Sequence, residues 1–182
     1  MEYADKQWRF QYKLGVPARP FKSGKGWWFN FPGPAGAVSY AACSIDEVLD
    51  RRQRTVIMAC QIETSEDYEF DEDTMGDDPG TMPPSVRVML FENINRPVGG
   101  RWWSLQGIEL RPGTHTLTVP IIPSKWGNEI GQSGDTEPAM FRAMLKRRLQ
   151  MAITFGGGND YGHGVRMARG SATFRLLRLA VR

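Results

Sequence analysis

The chain reads as an all-β protein: an antiparallel β-sandwich with jelly-roll-like connections, about nine strands and one short α-helix. Three observations predict this. Apolar and polar residues alternate over many short segments, as with Trp8, Phe10, Tyr12 and Leu14 against Arg9, Gln11 and Lys13. That period of two puts one side-chain set on one face of a strand. Turn residues punctuate these segments, with 20 Gly and 12 Pro among 182 residues, and apolar residues recur at helical spacing in a single stretch, 136–149.

Taken in order, Trp8–Leu14 is the first strand. Gly26–Phe31 repeats the alternation with Trp27, Phe29 and Phe31 on one face, and Pro32-Gly33-Pro34 stops it. Val38–Cys43 follows, then a polar stretch, Ile45–Arg52, that suits a helical turn, then Thr55–Ile62 with Val56, Met58, Cys60 and Ile62 facing inward. Residues 63–84 hold nine carboxylates, three prolines and two glycines, a composition that buries too little apolar surface to pack alone, so this segment reads as an acidic surface loop. Ser85–Phe91, Arg101–Leu105 and Thr114–Val119 are further strands. In the helix Thr136–Leu149, Thr136 is placed to cap and Pro138 suits the first turn. Met140, Phe141, Met144, Leu145 and Leu149 form its apolar face, and Arg142, Lys146, Arg147 and Arg148 its basic one. Met151–Phe155, a Gly-rich segment 156–164 and the strand Ala172–Val181 complete a single domain, 1–182.

Charge and cysteine content narrow the function classes. Against 23 Lys and Arg stand 20 Asp and Glu, a formal net charge of +3, with no basic stripe of the kind that tracks nucleic acid, so no nucleic-acid partner is expected. Cys43 and Cys60 are too few for a disulfide framework and read as buried free thiols. No apolar run approaches the roughly 20 residues of a membrane span, so no membrane partner is expected. The start, Met-Glu-Tyr-Ala-Asp-Lys, lacks a secretory pattern. The expectation is a chain that is cytoplasmic as synthesised, or that is carried out as part of a virion.

Candidate binding residues come from the tryptophans and the Gly-rich segment. Neighbours on a strand point to opposite faces, so one member of each pair Trp27-Trp28 and Trp102-Trp103 faces outward. Trp27 shares the face of Phe29 and Phe31, which leaves Trp28 outward; Trp103 aligns with Leu105, which leaves Trp102 outward. With Trp126 and Arg101 they form the aromatic and cationic candidates for stacking on a ring or a partner. Asn159, Asp160, Tyr161 and His163 are the polar tips of Phe155–Val165, a segment without a phosphate-loop or dinucleotide fingerprint. No Cys or second His stands near His163 or His115 at zinc spacing. Asp71, Asp73, Asp77 and Asp78 are the weak candidates for a structural calcium, in a segment that otherwise reads as solvated; no other cofactor is expected.

The stretches Gly26-Trp27-Trp28-Phe29-Asn30-Phe31-Pro32, Arg101-Trp102-Trp103-Ser104, Leu117-Thr118-Val119-Pro120 with Trp126, and Phe155-Gly156-Gly157-Gly158 through Gly162-His163-Gly164-Val165 to Gly170-Ser171-Ala172-Thr173-Phe174 form a combination. It resembles a group of poorly characterised bacterial and phage-associated β-sandwich proteins similar to galactose-binding-like jelly rolls and carbohydrate-binding modules. The resemblance implies non-catalytic binding, often to glycans. Its alternative is a phage virion protein, a capsid-decorating or tail component, that uses the sandwich for protein contacts in a larger assembly, oligomers included. An enzyme ranks behind both, because the carboxylates concentrate in the acidic segment and not in a pair facing one cleft.

Overall fold

A computed structural model of the chain describes residues 1–45, 49, 54–72, 83–92, 99–157 and 163–182. Fourteen strands are found among them: β1 (Arg9–Leu14), β2 (Phe21–Ser23), β3 (Gly26–Asn30), β4 (Ala37–Ser44), β5 (Thr55–Thr64), β6 (Glu69–Glu72), β7 (Ser85–Phe91), β8 (Arg101–Ser104), β9 (Ile108–Glu109), β10 (Gly113–Pro120), β11 (Trp126–Asn128), β12 (Gln150–Gly156), β13 (Val165–Arg169) and β14 (Ala172–Val181). One α-helix, α1 (Pro138–Leu145), stands beside them. The strands form two sheets, one of five strands in the order β10-β5-β14-β3-β2 and one of nine in the order β11-β8-β7-β12-β4-β13-β6, with β1 on β4 and β9 on β7. The fold is an all-β antiparallel sandwich, as its alternating pattern predicts.

Each layer follows from its side chains. In β5, Val56, Met58, Cys60 and Ile62 are buried while the intervening residues are not, which gives the five-stranded sheet one apolar face. β14 lies in the middle of that sheet, paired with β5 on one side and β3 on the other. By contrast β7 is buried at every position, and Val86-Arg87-Val88-Met89-Leu90-Phe91 is correspondingly almost continuous in apolar residues. Its one charge, Arg87, is 2% exposed and spends Nη1 on the carbonyls of Ser104, at 3.1 Å, and Leu105.

The layers meet through aromatic rings. Phe29 on β3 lies 4.9 Å from Phe10, 5.3 Å from Phe155 and 5.9 Å from Phe174. Phe155 on β12 lies 5.2 Å from Phe174 on β14, edge to face. Gly26 lets β3 approach β14 closely, since a Cβ there would fall 1.9 Å from the Leu176 carbonyl oxygen. Gly170, at φ 67°, makes the turn from β13 into β14. At the chain ends the amino group of Met1 donates to Val181 O at 2.7 Å, and Arg178 holds Glu2 at 2.7 Å. That hydrogen bond keeps the Glu2 carboxyl below the usual range.

Some elements differ from the sequence expectation. The nine expected strands are joined by five short ones, β2, β6, β9, β11 and β13. β6 falls inside the acidic segment, where carboxylates alternate with Tyr68 and Phe70. Phe70 packs 4.9 Å from Phe31, and the acidic side chains meet arginines of β13, Asp71 with Arg166 at 2.7 Å and Glu69 with Arg169 at 2.8 Å. The helix is shorter than 136–149. Thr136 does not cap it: the turn before Pro138 is built by Ser133, whose Oγ accepts from Thr136 N at 3.3 Å and whose carbonyl accepts from Thr136 Oγ1 at 2.9 Å. Leu14, expected inward, is 64% exposed at the end of β1. Among the described residues, no helix is long and apolar enough to cross a membrane.

Truncating Phe29→Ala should cost about 3–5 kcal/mol, read as a fall in the urea midpoint, since its ring joins both layers. Cys60 supplies a second expectation. Burial pushes its thiol up to about 12, while the unfolded chain releases the proton near its ordinary ~8.5. Below both values nothing is lost; above ~9 the unfolded state alone ionises, so stability should fall by about 1.4 kcal/mol per pH unit up to the folded value. Urea titrations at a series of alkaline pH values check this, and Cys60→Ala should show the shallower decline.

Candidate functional site

The outer face of the five-stranded sheet carries a row of side chains in direct cross-strand register: Phe21 opposite Trp28, Trp28 opposite Arg175, Arg175 opposite Gln61 and Gln61 opposite Thr114. The placement follows from the pleat. With Trp27, Phe29, Phe174 and Leu176 buried on the inner face, their neighbours Trp28 and Arg175 must point out. The Phe21 and Trp28 rings lie 4.7 Å apart at 30°, and the Arg175 guanidinium sits 5.5 Å from the Trp28 centroid. Arg175 also reaches Glu63, with Nε to Oε1 and Nη2 to Oε2 both at 3.3 Å. In the next row Thr173 Oγ1 donates to Asn30 Oδ1 at 2.7 Å. Phe21 is 49% exposed and Trp28 half-buried. A bulge between Leu176 and Arg178 turns Leu177 outward, 46% exposed, before Leu179 returns to the core.

Chemically the row offers an aromatic strip flanked by a guanidinium, a carboxylate, an amide and hydroxyls. That set stacks on rings and orients polar groups by hydrogen bonds.

Of the residues singled out from the sequence, Trp28 is outward as expected and belongs to this row. Trp102 and Trp126 are corrections: both are 0% exposed and offer no face to a ligand. Trp102 packs 5.0 Å from Phe141 of α1 and donates Nε1 to Gly99 O at 2.9 Å. Trp126 stacks on the same Phe141 at 6.3 Å and donates to Pro120 O at 2.9 Å. The alignment of Trp103 with Leu105 does not decide the faces of this pair, and Trp102 shares its face with Ser104. Ser104 is itself buried, with its hydroxyl accepting from Val88 N at 3.2 Å and donating to Gln106 O at 2.8 Å, and Leu105 lies past the end of β8. Trp103 is therefore the half-buried member, with the Arg101 guanidinium 5.9 Å from its ring, on the other sheet from Trp28.

His163 is exposed, and its backbone carbonyl accepts from Ser39 Oγ at 3.3 Å; Asn159, Asp160 and Tyr161 lie outside the described residues. Asp73, Asp77 and Asp78 do so as well, whereas Asp71 is engaged by Arg166. Among the described residues, no three His, Cys, Asp or Glu are grouped to hold a metal ion. Phe21, Arg175, Gln61 and Glu63 were missed by sequence reasoning. Their signal is their outward parity on β2, β14 and β5, and it becomes usable only once the strand order is known.

No protein-family model and no curated protein matches the chain. Among solved structures, Xylanase10C from Cellvibrio japonicus in complex with xylopentaose aligns over 97% of this chain, with a TM-score of 0.43 and 10% identity. The chain spans 28% of that protein's length.

The burial contrast predicts different costs for the tryptophans. Trp102→Ala should lose about 3–5 kcal/mol of stability, whereas Trp28→Ala should lose roughly 1 kcal/mol and keep the native near-ultraviolet circular dichroism of the core.

Proposed function

We propose that the chain is a non-catalytic recognition module that binds a glycan on the outer face of the five-stranded sheet. The observation that carries this reading is the Phe21–Trp28–Arg175–Gln61 row. Aromatic edges and faces pack against the C–H surfaces of a sugar ring, while Arg175, Gln61 and the Glu63 carboxylate donate to and accept from its hydroxyls. The row crosses the five strands of the sheet, about 19 Å at ~4.8 Å per strand spacing, a length that matches an oligosaccharide lying across the strands. Arg175, held by both Trp28 and Glu63, is pre-ordered, which lowers the entropic cost of binding.

A second reading takes the same surface as a protein contact in an assembly such as a virion. Exposed Phe21 and Leu177 beside Trp28 favour it, because an apolar centre with an arginine rim is the anatomy of a protein interface. A stable interface of that kind would bury at least about 1,000 Å².

A glycan array followed by calorimetry on the hits separates the two. Under the glycan reading, Trp28→Ala and Arg175→Ala each weaken binding at least tenfold, about 1.4 kcal/mol, with the fold retained. An array without hits, together with unchanged tryptophan fluorescence, removes the glycan reading. Self-association or partner capture that is lost in Phe21→Ala and Leu177→Ala would then support the assembly reading.

A further inference from the structure

β10 borders the five-stranded sheet and, among the described residues, pairs with β5 alone. The ladder fixes the direction of its remaining hydrogen-bonding groups. Just past the ladder Ile121 N donates to Arg54 O at 2.7 Å, whereas Thr55, which lies opposite Pro120, exchanges bonds with Arg182 on its other side, at 2.7 and 3.0 Å. Bonded and non-bonded pairs alternate along an antiparallel ladder. Val119, Leu117 and His115 therefore bond to β5, and the N–H and C=O groups of Thr114, Thr116 and Thr118 point away from it. Pro120, which has no N–H, falls in the same outward set, and its carbonyl accepts from Trp126 Nε1 at 2.9 Å.

The other sheet borders are protected and this one is not. β2 and β11 have three residues each, and β11 is followed by the Gly127–Ser133 bridge. β6 has four residues, three of them carboxylates, and β1 carries Arg9 and Lys13. Short length and charge are the usual means by which proteins keep edges from pairing. β10 has eight residues, none of them Lys, Arg, Asp or Glu, and its register with β5 runs without a bulge. Between Gly113 and Pro120 its edge-facing positions are all threonine, and Thr114, Thr116 and Thr118 are exposed.

We propose that β10 pairs antiparallel with β10 of a second copy of this chain, about a twofold axis at Thr116, and joins two five-stranded sheets into one. The occupant follows from the symmetry of the segment. Reversing Thr114-His115-Thr116-Leu117-Thr118 about its centre sets Thr114 opposite the partner's Thr118 and Thr116 opposite the partner's Thr116. Every bonded pair is then threonine with threonine, a favourable cross-strand pair, and both copies use the same patch, as a twofold interface requires. Three such pairs supply about six backbone hydrogen bonds. A partner of different sequence gains nothing from this self-match, and the edge holds no charge for it to complement. Edge pairing alone buries less than the roughly 1,000 Å² of a permanent interface, so the dimer is a reversible one. Pairing at this margin is independent of glycan binding and of any contact made through Phe21 and Leu177.

Sedimentation velocity of the full chain, over a dilution series from micromolar to millimolar, tests this. A monomer–dimer equilibrium is expected, with the amides of Thr114, Thr116 and Thr118 exchanging more slowly as concentration rises. Thr116→Lys sets like charges opposite each other on the axis and should weaken dimerisation at least about tenfold, whereas Thr116→Val keeps shape and backbone and should dimerise like the parent. Thr114→Lys/Thr118→Lys should abolish the dimer, and Thr114→Lys/Thr118→Glu, which sets opposite charges across the interface, should restore it. Four residues along a strand, about 13 Å, keep those two side chains apart within one copy. All three positions are exposed, so an unchanged thermal transition at low concentration verifies each fold. Any of four results overturns the proposal: a chain that stays monomeric throughout, a dimer that both lysine variants leave intact, a charge-swapped pair that associates no better than the doubly basic one, or a dimer lost in Phe21→Ala/Leu177→Ala.

Discussion

Phe29, Phe155 and Phe174 come from three strands on both sheets and touch one another in the middle of the molecule. Around them Trp8, Phe10, Trp27, Phe31 and Phe70 extend one aromatic layer from the amino-terminal segment to the β6–β13 ladder. Because the side-chain period of a strand is two, this layer sets which residues of β3 and β14 face solvent. A slip of one residue would carry Trp28 and Arg175 into the core and Trp27 and Phe174 out of it. The proposed recognition surface is thus a consequence of the core, held in place by the same register that fills the interior.

The two sheets treat their outer faces differently, and this bears on where a ligand can sit. In the nine-stranded sheet the second face of β4, β7 and β12 is also buried: Tyr40, Ala42, Met89, Phe91 and Ala152 form a smaller cluster of their own, with Trp103 at its margin. A face already removed from water has little further area to contribute to binding. The five-stranded sheet keeps Phe21, Trp28, Arg175, Gln61 and Thr114 on its outer side. Its charged groups there are restrained by short contacts within the sheet, Arg175 to Glu63 and Arg178 to Glu2, which limit the rotamer freedom a ligand would otherwise have to remove.

The edge hairpin β2–β3 supplies the aromatic partner of Trp28. Phe21 and Lys22 are adjacent in sequence and serve opposite sides, one aromatic and one cationic, because the strand alternates. β2 has only three residues, all exposed, and its sequence Phe-Lys-Ser is too short to show a period. That is why the strand, and with it the aromatic partner of Trp28, was not legible before the tertiary structure. The acidic segment is a similar case. Its carboxylate count reads as a solvated loop, yet Phe31, on which Phe70 packs, and the arginines of β13 recruit Glu69–Glu72 into a strand, and both partners lie far along the chain.

From its residues alone this chain determined the fold class and the long strands, because a period of two over five or more residues is a local property that needs no knowledge of neighbours. The same periodicity put Trp27 inside and Trp28 outside. The tertiary structure decided everything that depends on which strands lie side by side. Trp102 and Trp126 are buried because Phe141 of α1 lies against both, although it is 39 and 15 positions away, by 141 − 102 and 141 − 126. Phe21, Trp28, Gln61 and Arg175 form one row because antiparallel pairing joins β2, β3, β14 and β5 at that level. Burial and register are set by packing against distant chain, and a local pattern carries no record of which distant segment arrives.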